Sequence, residues 1–148
     1  MPDVIILIAA QFDEMEVITC HAVLRDRHLA VVLVSVMPGV VRSIRGVTVH
    51  PDSYLSQGAQ LLSETKRQVI ILAGGERCAA QTLSDPRAHR LIQTVLAHGG
   101  QVGVMAKADF LVKETGLFRP EWAGQIVRQR GMKTAVFLNK LLALFIEK

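Results

Sequence analysis

Two cysteines, one tryptophan and one tyrosine are all that this 148-residue chain carries of those three types. Cys20 and Cys78 do not form a metal-spaced pair, and a chain of this length needs no disulfide scaffold. A reducing compartment is the simplest expectation. Apolar runs are short: Val4–Ala10 has seven residues, against roughly 20 for a membrane-spanning helix. No basic segment followed by an apolar stretch and a cleavage site precedes it, so the expected location is cytoplasmic, with no membrane partner. Charge is equally thin. Seventeen basic and 13 acidic residues leave a net +4, and no run of five or more like charges occurs. The arginines are scattered from Arg25 to Arg130. That pattern fits a mildly basic solvated surface and argues against nucleic-acid binding. His21, His28, His50, His89 and His98 show no metal-ligand spacing, so neither metal nor cofactor is expected, and no histidine follows His98.

Half of the residues are hydrophobic, which predicts a globular chain, and the length predicts one domain over 1–148. Val4–Ala9 is near-continuously apolar, as a strand buried on both faces must be. A helix over Asp13–Arg27 follows, with Met15, Ile18 and Ala22 in one line and Val17 and Leu24 widening its inward face. Leu29–Val36 reads as a second buried strand, giving a parallel strand–helix–strand unit. Val40–Val49 suggests short strands or a hairpin around Arg45-Gly46, and Pro51–Gly58 a loop. Val69–Ala73 is another buried strand, ending at Gly74-Gly75. Asp85 and Pro86 can open a helix whose stripe is Ala88, Leu91, Ile92, Val95 and Leu96, stopped by His98-Gly99-Gly100. Then come a strand over Val102–Met105, a short helix over Ala108–Glu114, a strand over Gln125–Gln129 and a closing helix over Met132–Glu147. The alternation predicts an α/β fold: a flavodoxin-like, doubly wound sandwich with a mostly parallel central sheet.

In such sheets ligands sit beyond the carboxyl ends of the strands. Ala10–Glu16, Gly74–Cys78 and Met105–Asp109 should therefore converge. Glu16 lies in a first helical turn, where the helix dipole favours a carboxylate. Its place beside the buried stripe also allows it to hold a proton or orient a thiol. Gly74 and Gly75 allow a tight turn and leave backbone N–H groups free for an anion, although a lone Gly-Gly is equally a plain turn. Cys78 reads either as a reactive thiol at a helix start or, more simply, as a small buried hydrophobe. Ala106 stands where the strand 102–105 turns into a helix, a place that often displays a nucleophile. Its methyl group neither attacks nor transfers a proton.

These segments taken in order resemble the ThiJ/PfpI superfamily, within the class I glutamine amidotransferase-like proteins. The resemblance rests on Val4–Ala9 with Phe12-Asp-Glu-Met-Glu16, on Ser43–Asp52, on Val69–Gly75, and on Arg128–Gly131 followed by Thr134-Ala135. It implies a Glu16 that contacts a nucleophilic cysteine and an oxyanion-hole N–H at Gly75. The family's cysteine elbow then falls on Gly103–Asp109, which puts Ala106 at the cysteine, Lys107 at a position usually histidine or alanine, and Asp109 in place of a proline. The segment Leu117–Gln125 is also shorter than the family's, which commonly carries a histidine and dimer contacts there.

Glu16, Gly75, Ala106 and Lys107 are thus expected to form a vestigial site with no confident catalytic residue. Glu16, Arg45, Gly74, Gly75, Cys78 and Lys107 are the expected ligand-binding set. The leading expectation is a pseudoenzyme that binds a small molecule or protein partner. The alternative is a glyoxalase-, deglycase- or amidase-like hydrolase using Glu16, Lys107 and Cys78. In that case a desolvated Lys107 forms a Schiff base, or else it simply pairs with Asp109 or Glu16. The closing helix, apolar on nearly all sides, and the shortened late segment together predict a homodimer.

Overall fold

The computed structural model describes residues 1–109, 112, 115, 116 and 118–146, with the backbone alone at 145 and 146. Six strands form one sheet in the order β5-β2-β1-β6-β7-β8. They are β1 (Val4–Ile8), β2 (Val31–Ser35), β5 (Ser53–Tyr54), β6 (Val69–Leu72), β7 (Gln101–Val104) and β8 (Ile126–Arg128). Every pair within it is parallel. A separate antiparallel hairpin, β3 (Val41–Arg42) with β4 (Thr48–Val49), pairs Val41 with Val49. The continuous apolar runs are explained by layering. All residues of β1, β6 and β7 are buried because helices cover both faces of the sheet.

Helices α1 (Glu14–Asp26) and α4 (Thr134–Ile146) pack against one face, and α2 (Glu76–Leu83) and α3 (Pro86–Ala97) against the other. The cap of α3 forms as expected: the Asp85 side chain accepts from the Arg87 N–H at 2.8 Å, and Pro86 occupies the first turn. Its five-residue apolar stripe is wholly buried. Gly103 explains how α4 reaches the sheet. A Cβ there would lie 2.8 Å from both Leu141 Cδ2 and Phe137 Cζ, so any side chain would have to push the ends of those two buried side chains aside.

Several expectations shift. The line Met15–Ile18–Ala22 faces solvent: Met15 is 64% and Ile18 47% exposed. The buried face of α1 is Val17, Cys20 and Leu24 instead. Apolar residues surround this helix, and only the neighbouring β2 and α4 decide which line turns inward. Pro51–Gly58 is not simply a loop. It contains β5, which pairs with β2, and the start of a 3₁₀ turn over Leu55–Leu61. Helix α2 stands where the sequence suggested only a helix start at Cys78. The closing helix begins at Thr134 rather than Met132. It buries Phe137, Leu138, Leu141 and Leu142 and leaves Val136 exposed. Of the short helix expected over Ala108–Glu114, positions 110, 111, 113 and 114 lie outside the described residues. So does Glu147, the expected end of the closing helix.

Candidate functional site

The carboxyl ends of β1, β6 and β7 converge as doubly wound topology requires. The Asp13 N–H donates to the Gly74 carbonyl at 3.0 Å, and Lys107 Nζ reaches Asp13 Oδ2 at 3.1 Å. A Cβ placed on Gly74 would meet the Lys107 Cβ at 3.5 Å and the Asp13 Cβ at 4.0 Å, ordinary contact distances that bring the three segments together. Over this junction lies a recess of about 50 Å³ lined by Asp13, Glu16, Gly74, Met105, Ala106, Lys107 and Gln129. Beside it opens a cleft of about 470 Å³ lined by Gln11, Ile44, Gly75, Glu76, Arg77 and Lys107. Lys107 borders both.

Gly75 is required by geometry. Its φ of +107° suits glycine, and a Cβ would fall 2.5 Å from the Gln11 carbonyl oxygen. It opens α2 without a side-chain cap, beside the cleft. At Ala106 the backbone is relaxed: Met105 is extended, and residues 106–108 form a 3₁₀ turn. Among the described residues, left-handed non-glycine backbone is confined to Gln11, His28 and Arg130. A nucleophile elbow, by contrast, holds its displayed residue in a sharp, strained turn.

The recess is wired by Gln129, a buried residue just past the end of β8. Its Oε1 accepts from the Ala106 N–H at 3.0 Å, while its Nε2 donates to Glu16 Oε2 at 3.3 Å and to the Met132 carbonyl at 3.2 Å. The Thr134 hydroxyl also donates to Glu16 Oε2, at 2.6 Å. Glu16 therefore faces Gln129 and Thr134, and Lys107 pairs with Asp13, not with Glu16 or Asp109. Asp109 turns to Arg128 and Arg130, at 3.3 and 3.6 Å.

Asp13 and Glu14 are both buried, and Arg45 Nη1 bridges them at 2.9 Å to each. Burial raises the Glu14 pKa, but hydrogen bonds from Ser43 and Arg45 outweigh it and hold the carboxyl down at about 2. Asp13 is lowered in the same way: burial opposes, and Arg45 and Lys107 prevail. Arg45 thus ties the β3–β4 hairpin to the start of α1 instead of pointing into the cleft. Cys78 is fully buried, its Sγ accepting the Ala9 N–H at 3.2 Å, and burial pushes its thiol up to about 11. Cys20 is likewise buried and pushed up to about 12, by burial and then by the Glu16 charge.

Of the residues expected from the sequence, Glu16, Gly74, Ala106 and Lys107 share the recess, and Gly75 and Lys107 share the cleft. Arg45 and Cys78 line neither. Gln129, Thr134, Asp13, Gln11 and Arg77 were not singled out, and they carry much of the polar chemistry. The partners of Gln129, Thr134 and Asp13 lie on other elements, up to 118 residues away for Thr134 and Glu16, so local spacing holds no trace of them. The exception is the Arg128–Thr134 segment, which marked the place without assigning a role.

A parallel sheet wound on both faces, with a polar recess beyond the ends of β1, β6 and β7, defines a flavodoxin-like α/β protein. Residues 2–135 match the DJ-1/PfpI family, and the chain belongs to it. No curated protein matches the chain by sequence. Among solved structures it is similar to Drosophila melanogaster DJ-1beta, with 21% identity and a TM-score of 0.81 over 100% of this chain and 92% of that one. It is similar to a DJ-1 superfamily protein of Salmonella typhimurium, solved as a cysteine-to-alanine mutant, with 21% identity and a TM-score of 0.79 over 99% and 90%. Oxidized Toxoplasma gondii DJ-1 follows at 21% identity and a TM-score of 0.76, over 97% and 89%.

Proposed function

We propose that this DJ-1/PfpI-family chain has lost thiol-dependent catalysis and acts by binding a small ligand or a protein partner. The observation that carries the reading is Ala106, which the resemblance to the family's elbow puts at the nucleophile's place. Three features support it. The turn at Ala106 is unstrained. Both thiols are buried and pushed up to about 12 and about 11, which keeps them protonated at neutral pH. No histidine follows His98 to serve as a base. What remains is a frame of Glu16, Gln129 and Lys107 beside a cleft of about 470 Å³, a size typical of small-molecule sites. The test is turnover of methylglyoxal by the purified chain. None is expected, and clear turnover abolished by Glu16→Ala would sink the reading.

A second reading keeps an enzyme with a non-standard site. The observation in its favour is Lys107, half-exposed where recess and cleft meet. Against it, Lys107 Nζ is already engaged in an ion pair with Asp13 at 3.1 Å. Cytoplasmic location and a homodimer complete the proposal. Exposed Met15 and Ile18 on α1 and Val136 on the neighbouring α4 support the dimer. A strictly monomeric sedimentation profile at high concentration would remove that part alone. Among the described residues, no helix is long and apolar enough to cross a membrane.

A further inference from the structure

Gln11 adopts a φ of +68° at the end of β1, a conformation that glycine accepts freely and a glutamine does not. The geometry is fixed from two sides. The Gln11 N–H donates to the Arg42 carbonyl at 2.9 Å, and the Gln11 carbonyl packs where a Cβ on Gly75 would stand. The fold needs this backbone, yet a glutamine fills the place, and it is one of the residues that line the cleft. The buried or part-buried carboxamides of Gln68, Gln125 and Gln129 are spent on the fold: Gln68 holds Pro2 and Leu61, Gln125 holds Leu96 and Gly100, and Gln129 holds the recess. The half-buried carboxamide of Gln11 has no hydrogen-bond partner among the described residues.

Its neighbours define a chemistry. Lys107 and Arg77 bring positive charge, and Arg77 forms no ion pair with any described residue. Glu76 on the same wall disfavours a second negative charge on the ligand. Ile44, 47% exposed on the hairpin, offers an apolar wall. A carboxamide presents a donor and an acceptor side by side, and an amide complements it.

We infer that Gln11 is a specificity-determining residue of this cleft, pairing with the amide of a small ligand whose single carboxylate meets Lys107 and Arg77 and whose apolar group lies on Ile44. The inference rests on the binding reading above and names the ligand class for the same site. Strain retained at a non-glycine residue is explained when its side chain has work at a site.

The experiment compares two probes by titration against the full chain: N-acetyl-L-leucine, and 4-methylpentanoate, which keeps the carboxylate and branched chain but has no amide. The parent is expected to prefer N-acetyl-L-leucine about ten-fold. Gln11→Gly is expected to erase that preference without lowering the unfolding midpoint, because glycine keeps the backbone. Gln11→Asn, which also tolerates the left-handed region, is expected to weaken the preference in the same direction. A parent that binds neither probe, a parent without preference, or a Gln11→Gly chain that retains it overturns the inference. Methylglyoxal turnover instead sinks the binding reading itself, so the two failures are told apart.

Discussion

The backbone N–H of Ala106 donates to Gln129 Oε1 at 3.0 Å, which ties the turn after β7 to the residue that follows β8. The other end of the same carboxamide reaches Glu16. One buried side chain thus joins three elements that meet only in the folded state. Removing it leaves the Ala106 N–H without its partner in a tight recess and takes from Glu16 Oε2 one of its two donors, the other being the Thr134 hydroxyl. Gln129→Ala should therefore lower stability by about 2 kcal/mol. Urea unfolding checks this, and a loss under about 0.5 kcal/mol would show that the carboxamide organises nothing.

The thiols give a direct readout of the absent nucleophile. Cys20 and Cys78 are fully buried, with pKa values pushed up to about 12 and about 11. An aromatic disulfide reagent at pH 8 should modify neither in the native chain and both in guanidinium. Rapid native modification of Cys78 would revive the enzymatic reading that uses it.

The sequence displays its buried strands plainly because helices cover both sheet faces, leaving β1, β6 and β7 no polar side. Helix α3 is equally plain, since Asp85, Pro86 and the stripe from Ala88 to Leu96 are all local signals. Helix α1 is different. Met15, Ile18 and Ala22 form as good an apolar line as Val17, Cys20 and Leu24, and tertiary packing alone chooses the second. The two residues of β5 are too few to show a period. The site divides along the same boundary. Glycines, Glu16 and Lys107 declare themselves by position at strand ends. Gln129 acquires its role only when β8 is laid beside β7.

Acid should weaken the fold through the pair under Arg45. Glu14 falls from an ordinary 4.5 to about 2, and Asp13 is lowered as well. Between those pH values the unfolded chain binds more protons than the folded one. Stability is therefore full above about 4.5 and is lost as pH falls toward about 2. Arg45→Met removes a shared hydrogen-bond donor and lets both carboxyls rise toward their ordinary values. It should lower stability at neutral pH and flatten the pH dependence across that window. Urea midpoints from pH 7 to 2 measure both, and parallel curves for parent and variant would show that Arg45 sets neither pKa.

Restoring a thiol at position 106 separates a missing side chain from a missing site. Ala106→Cys would place sulfur over a recess lined by Asp13, Glu16, Lys107 and Gln129. Among the described residues lining it, the cation is Lys107, already held by Asp13 at 3.1 Å, and Glu16 brings a negative charge that opposes thiolate formation. The turn supplies no strained display, and Gln129 already holds the Ala106 amide. The new thiol should therefore keep a pKa at or above about 8.5, and the variant should not turn over methylglyoxal. The pH dependence of iodoacetamide alkylation gives the first quantity and a direct assay the second. Alkylation with a midpoint below about 7, together with turnover, would mean that the surrounding frame is intact and that alanine alone silences it.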